Sequence, residues 1–221
     1  MNKVTKQTFI AVAAMLTLAA CGNKTAGQQS STDSDSIAAP AAADSVAPEK
    51  TYEPGRGDLG VFDLRGPVKE CKLVFGNYKK TNSFNEQGQW TAEDGKPLKE
   101  IYPGGVKRDK DGRITKGLFD QWGDTYHEYH LDSKGLATEI NHHDYMDEGS
   151  DVTYTYDADG YVATETVSEW GMGAYDEETG EEVKPIVSKY TILEKDGYGN
   201  WTKRKDEKGN ITTRQITYYD E

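Results

Sequence analysis

Residues 154–167, YTYDADGYVATETV, alternate bulky and polar side chains, break at Asp157-Ala158-Asp159-Gly160, and alternate again. Two structures would account for that break, a calcium loop or a hairpin turn. An EF-hand loop whose acidic run ends at Asp159-Gly160 needs an acid at its first position and a bidentate Glu at its twelfth. Those places hold Thr155 and Thr166. Laid on DKDGRITKGL, the same template puts Lys107 first and Leu118 twelfth, so both stretches read as turns.

The turn reading has a backbone reason. Asp opens a type I turn by bonding the backbone two residues on, and Gly at the fourth position takes the left-handed conformation that closes the hairpin. With Asp157 facing Tyr161, strict alternation puts Val152, Tyr154, Tyr156, Val162, Thr164 and Thr166 on one face. Thr153, Thr155, Ala163 and Glu165 fall on the other. One face is fit for burial and one for water.

This turn recurs. NEQGQW, DKDGRI, DSKGLA, DADGYV, DGYGNW and DEKGNI share an Asp or Asn, two residues and a Gly, with the glycines at Gly88, Gly112, Gly135, Gly160, Gly199 and Gly209. The successive spacings are 24, 23, 25, 39 and 10 residues; the long one holds an insertion, GMGAYDEETGEEVK, that reads as an exposed acidic hairpin around Gly180. Short strands with turns every 20 to 25 residues, and no convincing amphipathic helix, predict an all-β antiparallel meander of 10 to 14 strands. It forms a twisted open sheet or a partly closed barrel or spiral. Few Leu and Phe but 14 Tyr predict a thin core edged by tyrosines.

The pattern resembles the YD repeats of Rhs-like and wall-associated bacterial proteins, whose units run Tyr, Asp, two residues, Gly, then an aromatic or aliphatic. Tyr156-Asp157 with Gly160 is the best copy, and DGYGNWTKR and DEKGNITTR match the second half of a unit. The likeness spans about residues 84–221, and the lead-in FDLRGPVKECKLVF resembles the start of small secreted YD-repeat-like lipoproteins of Bacteroides-type bacteria. Most copies lack the Tyr, and six are too few for the closed shell of long arrays.

The N-terminus supplies an address. Lys3 and Lys6 precede an apolar run over residues 9–20, too short for a membrane-spanning helix of about 20 residues and suited to a signal peptide. The run ends in Leu-Ala-Ala-Cys-Gly, which resembles the lipobox of bacterial lipoproteins. By that resemblance residues 1–20 are removed, Cys21 carries the lipid that anchors the chain to membrane, and Gly22 points to the outer membrane. Residues 21–57 read as the lipidated N-terminus and a disordered tether, poor in large apolar side chains, with a span of about 30–36 Å. The tether ends in Arg56-Gly57-Asp58, a tripeptide read by integrins and equally a flexible lead-in to the first strand. Residues 58–221 form the repeat domain.

Without residues 1–20 the formal charge moves from -12 to -14, which argues against nucleic acid as a partner. With Cys21 acylated, Cys71 has no disulfide partner and reads as a small core residue beside Leu73 and Phe75. Alternation sets His127 opposite Asn141, with His130 and His142 on the other face, a polar hairpin without metal-ligand spacing. There is no nucleophile elbow, P-loop, dinucleotide fingerprint or His-Glu-x-x-His, so no cofactor and no catalytic residues are expected. The expected function is a non-catalytic envelope lipoprotein that binds an envelope protein, with a basic final hairpin carrying Lys203, Arg204 and Lys205 as the partner patch. The alternative is a carbohydrate-binding lipoprotein that stacks glycan on Trp90, Trp122, Trp170 and Trp201. A glycan hydrolase with loop carboxylates is the third reading.

Overall fold

Six turns built alike set the architecture. The computed structural model describes residues 56–145, 147–176 and 178–219; the expected signal peptide, lipidated Cys21 and most of the tether lie outside the described residues. In each turn the side chain of Asn85, Asp109, Asp132, Asp157, Asp196 or Asp206 accepts the backbone N–H groups two and four residues on. The Gly three residues on donates its N–H to the carbonyl of the same Asn or Asp. All six glycines sit at φ between 76° and 83°, a region costly to side chains.

The turns and their connections generate thirteen strands: β1 Val68–Phe75, β2 Tyr78–Phe84, β3 Trp90–Glu93, β4 Lys96–Pro97, β5 Gly105–Arg108, β6 Ile114–Leu118, β7 Tyr126–Leu131, β8 Ala137–Asp144, β9 Glu148–Tyr156, β10 Val162–Trp170, β11 Ile186–Lys195, β12 Trp201–Asp206 and β13 Ile211–Tyr218. They form one antiparallel sheet in the order β4-β3-β2-β1-β13-β12-β11-β10-β9-β8-β7-β6-β5. The only α-helix among the described residues is one turn, α1 Leu98–Ile101.

That order forces curvature. Its edge strands, β4 and β5, are joined by residues 98–104, a link that spans at most about 29 Å. Laid flat, thirteen strands would be about 58 Å wide. The sheet therefore curls until its edges approach, without a closing strand pair. Side chains bridge the gap instead: Gln89 Nε2 donates to the Gly112 carbonyl at 3.1 Å, and Asp58 ties β3 to β5 and β6. Asp58 is wholly buried and accepts from the Trp90 N–H at 2.8 Å, the Ile114 N–H at 2.7 Å and Arg108 Nη1 at 2.7 and 2.9 Å. Arg56-Gly57-Asp58 is thus no flexible lead-in: its aspartate is a core residue.

Antiparallel alternation sorts the connections onto two rims. The turns at 85–88, 109–112, 132–135, 157–160 and 196–199 share one rim, here the near rim. Segment 56–67 lies against it: Asp58 donates its N–H to the Gly88 carbonyl, Arg65 binds the carbonyls of Asp159 and Gly160, and Asn200 grips both the N–H and the carbonyl of Arg65. The far rim carries the loop 119–125, the connections from β8 to β9 and from β10 to β11, and the last turn at 206–209.

Strict alternation fails at the near rim, and the reason is shared. Each near-rim hairpin leaves unpaired, as a β-bulge, the residue three past the turn glycine: Thr91, Thr115, Thr138, Ala163 and Thr202; the β11–β12 hairpin also skips Leu193. A bulge moves every later side chain to the opposite face. Hence Glu165 and Val167, not Thr164 and Thr166, lie buried with Val152, and His127 pairs with His142, not with Asn141. Cys71 is buried and its thiol pKa is raised by that burial.

Inside the curl, Leu59, Leu64, Val68, Phe84, Trp90, Tyr102, Ile114 and Tyr129 form the apolar core. The other half is polar and aromatic: Trp201 donates to Asp63 at 2.8 Å, with the Arg214 and Arg204 guanidinium groups 3.6 and 4.4 Å from its ring centre. Burial lowers Arg214 to about 10, and its side chain bonds the carbonyls of Phe62 and Asp63.

Candidate ligand-binding face

The outer face of β7 to β10 is built from two ladder rows. Register pairs Tyr126 with His143, His143 with Gly149 and Gly149 with Trp170. Gly149 leaves a gap in that row, and the Trp170 indole lies across it: a Cβ on Gly149 would stand 2.4 Å from the ring. Trp170 thereby reaches His143 at 4.4 Å between ring centres, and His143 stacks on Tyr126 at 4.5 Å. Three aromatic rings from β7, β8 and β10 become one continuous strip.

The neighbouring row is Glu128, Asn141, Asp151 and Ser168. Asn141 organises it: its Nδ2 donates to Glu139 at 2.9 Å and Asp151 at 2.8 Å, while its Oδ1 takes a bond from His130 at 2.7 Å. Trp170 Nε1 donates to the same Asp151 oxygen at 3.2 Å. Lys116 stands 3.2 Å over the Tyr126 ring and 3.7 Å from Glu128. Tyr126, Glu128, Asn141, His143, Asp151 and Trp170 line a shallow, open cleft of about 320 Å³, the lower end of the usual range for ligand sites.

Exposed aromatics gather at the far rim. Tyr78, Trp122, Tyr145 and Tyr175 are the exposed aromatic residues among the described ones, and all lie on far-rim connections or their first strand residue. Trp122, 78% exposed, is held by Asp120, whose carboxylate accepts the N–H groups of Trp122, Gly123, Asp124 and Thr125.

The four tryptophans expected to stack glycan separate. Trp90 and Trp201 are buried at 4% and 1% exposure and serve the core, so they offer no surface; Trp122 and Trp170 belong to the far-rim end. The basic triplet separates as well. Lys203 bonds Glu194 at 2.9 Å on the outer side and Lys205 is exposed, but Arg204 turns inward over the Tyr190 ring at 3.6 Å. Lys203, Arg204 and Lys205 therefore do not make one docking patch, because the bulge at Thr202 sends Arg204 to the interior. Tyr126 and His143 were missed as site residues, and the signal for them, an aromatic opposite a histidine at the ends of adjacent strands, depends on a register that the bulge at Thr138 resets.

Two histidines lie inside. His127 and His142 pack edge to face at 4.6 Å, and His127 Nδ1 meets the Tyr102 hydroxyl at 2.9 Å. Burial, with help from His142, lowers His127 to about 3. Among the described residues no group of three or more His, Cys, Asp or Glu could hold a metal ion. Compared with known proteins, the chain matches no family model and no curated protein.

Proposed function

We propose that this chain is a lipid-anchored outer-membrane module of the YD-repeat-like type whose far rim and adjoining outer face bind an envelope partner or ligand, without catalysis. The observation that carries the reading is the segregation of exposed aromatics: four lie at the far rim, whereas the chain enters the domain at the near rim. Exposed aromatics on braced loops are the residue type that dominates binding energy at interfaces.

A photocrosslinking residue at Trp122, compared in cells with one at the near-rim position Lys134, tests this. Specific adducts are expected from position 122. Equal labelling from both positions, or none from 122, would remove the far rim as the binding surface.

A second reading has one observation behind it. Glu128 and Asp151 flank Asn141 on adjacent strands in one cleft, about 9.6 Å apart at the backbone by strand spacing. Paired carboxylates in an aromatic cleft suit glycoside hydrolysis. Release of reducing ends from a glycan, abolished by Asp151→Asn, would favour that reading over simple binding.

A further inference from the structure

We infer that the cleft over β7 to β10 is a subsite for a short oligosaccharide that contacts it through donor groups, with free-amine hexosamine units preferred; this rests on the binding-face reading above and names its ligand. Three features converge. The ring centres of Trp170, His143 and Tyr126 follow one another across the strands at 4.4 and 4.5 Å, a strip of at most about 9 Å that matches two sugar rings. Gly149 gives the indole room to lie across its row, so Trp170 caps the Tyr126–His143 stack at a 58° tilt. A wall of polar groups stands beside it, close enough for Trp170 itself to bond Asp151.

The hydrogen-bond inventory of that wall sets the preference. Both Nδ2 hydrogens of Asn141 are spent on Glu139 and Asp151, its Oδ1 is spent on His130, and the Trp170 N–H is spent on Asp151. What the wall presents outward is the unspent acceptor capacity of Glu128, Asp151 and Glu139. Among the described residues Lys116 is the one lysine or arginine paired with this row, at Glu128, and its ammonium already lies on Tyr126. A ligand bringing hydroxyl or ammonium donors satisfies these oxygens. A uronic acid sets carboxylate against carboxylate, and an N-acetyl carbonyl finds acceptors where it needs donors. A free ammonium also gains from the Trp170 indole.

The test titrates the full-length protein with four oligosaccharides of equal length: free-amine glucosamine, N-acetylglucosamine, glucose and galacturonate. Binding is expected for the glucosamine oligomer, weaker for the glucose oligomer, and absent for galacturonate. Trp170→Ala should weaken glucosamine binding at least about tenfold, as should Asp151→Asn, which keeps the shape of the side chain and removes its charge. Glu194→Gln, on a strand outside the cleft, should leave binding unchanged. Since Trp170 also covers Gly149, His143→Ala and circular dichroism separate loss of the site from loss of the fold. Preference for galacturonate, equal affinity for all four, or binding to none overturns the inference. If none binds while crosslinking from Trp122 persists, the sugar subsite falls and the far-rim reading stands.

Discussion

At the scale of single residues, Asp58 does the most. A carboxylate withdrawn from water is tolerated when a cation and hydrogen-bond donors meet it, and Asp58 has Arg108 and two backbone N–H groups from different strands. Asp58→Ala orphans those donors and strands the Arg108 charge, so a loss of about 3–5 kcal/mol is expected in urea unfolding. A loss under about 1 kcal/mol would mean that the sheet edges are held together by something else. Arg204 makes the contrasting case within three adjacent residues. Lys203→Gln with Lys205→Gln should shift stability by less than about 0.5 kcal/mol, as exposed charges do. Arg204→Gln should cost about 1–3 kcal/mol, because it removes stacking on Tyr190 and Trp201 beside buried Glu165. Equal effects would contradict the inward placement of Arg204.

At the scale of elements, the bulge repeats with the five near-rim turns and is missing from the far-rim turn at 206–209. Four of the five bulged residues are Thr, and two of them bond back across the hairpin: Thr91 to the Ser83 carbonyl at 3.0 Å and Thr138 to the His130 carbonyl at 3.1 Å. The fifth is Ala163. Thr138→Ala should therefore destabilise by about 0.5–1.5 kcal/mol, whereas Ala163→Thr should stabilise by up to about 1 kcal/mol. Opposite shifts of melting temperature are the expected result, and a matching sign would detach the hydroxyl from the bulge. The turns were legible in the sequence because each needs a residue free to adopt positive φ, and Gly stands there six times. Four of the bulges follow Gly-x-apolar-Thr, in GQWT, GRIT, GLAT and GNWT, but GNIT at 209–212 has the same spelling and no bulge, so alternation carried unbroken past the turn concealed them. That one skipped residue moved Glu165, His142 and Arg204 indoors, and with them changed which aromatics could meet on the outer face. The curl was legible only as an alternative, since it depends on the pairing of β1 with β13, residues far apart in sequence, and on the short link between β4 and β5.

At the scale of the whole molecule, the two sides of the interior bury groups of opposite proton demand. Glu165, with Arg204 and Tyr190 beside it and Tyr154 opposite on β9, is raised by burial from 4.5 to about 7. His127, among Tyr102, Tyr129, Phe119 and His142, is lowered by burial from 6.5 to about 3, and His142 is lowered in the same way. The two carry opposite signs. Glu165 contributes stability that is fully present below pH 4.5 and lost as the pH rises through about 7, since the unfolded chain ionises first. His127 contributes stability that is present above pH 6.5 and lost as the pH falls toward about 3, since the unfolded chain takes up protons first, and His142 acts in the same direction. Between pH 4.5 and 6.5 the slopes of Glu165 and His127 oppose one another, each at about 1.4 kcal/mol per pH unit. Glu165→Gln removes one slope, so its stability relative to wild type should fall on acidification from pH 6.5 to 4.5 by about that slope. His127→Phe should do the reverse, holding up better than wild type toward pH 3. Melting curves of the three proteins across pH 3 to 8 read this directly, and parallel curves would show that neither group is buried in its uncharged form.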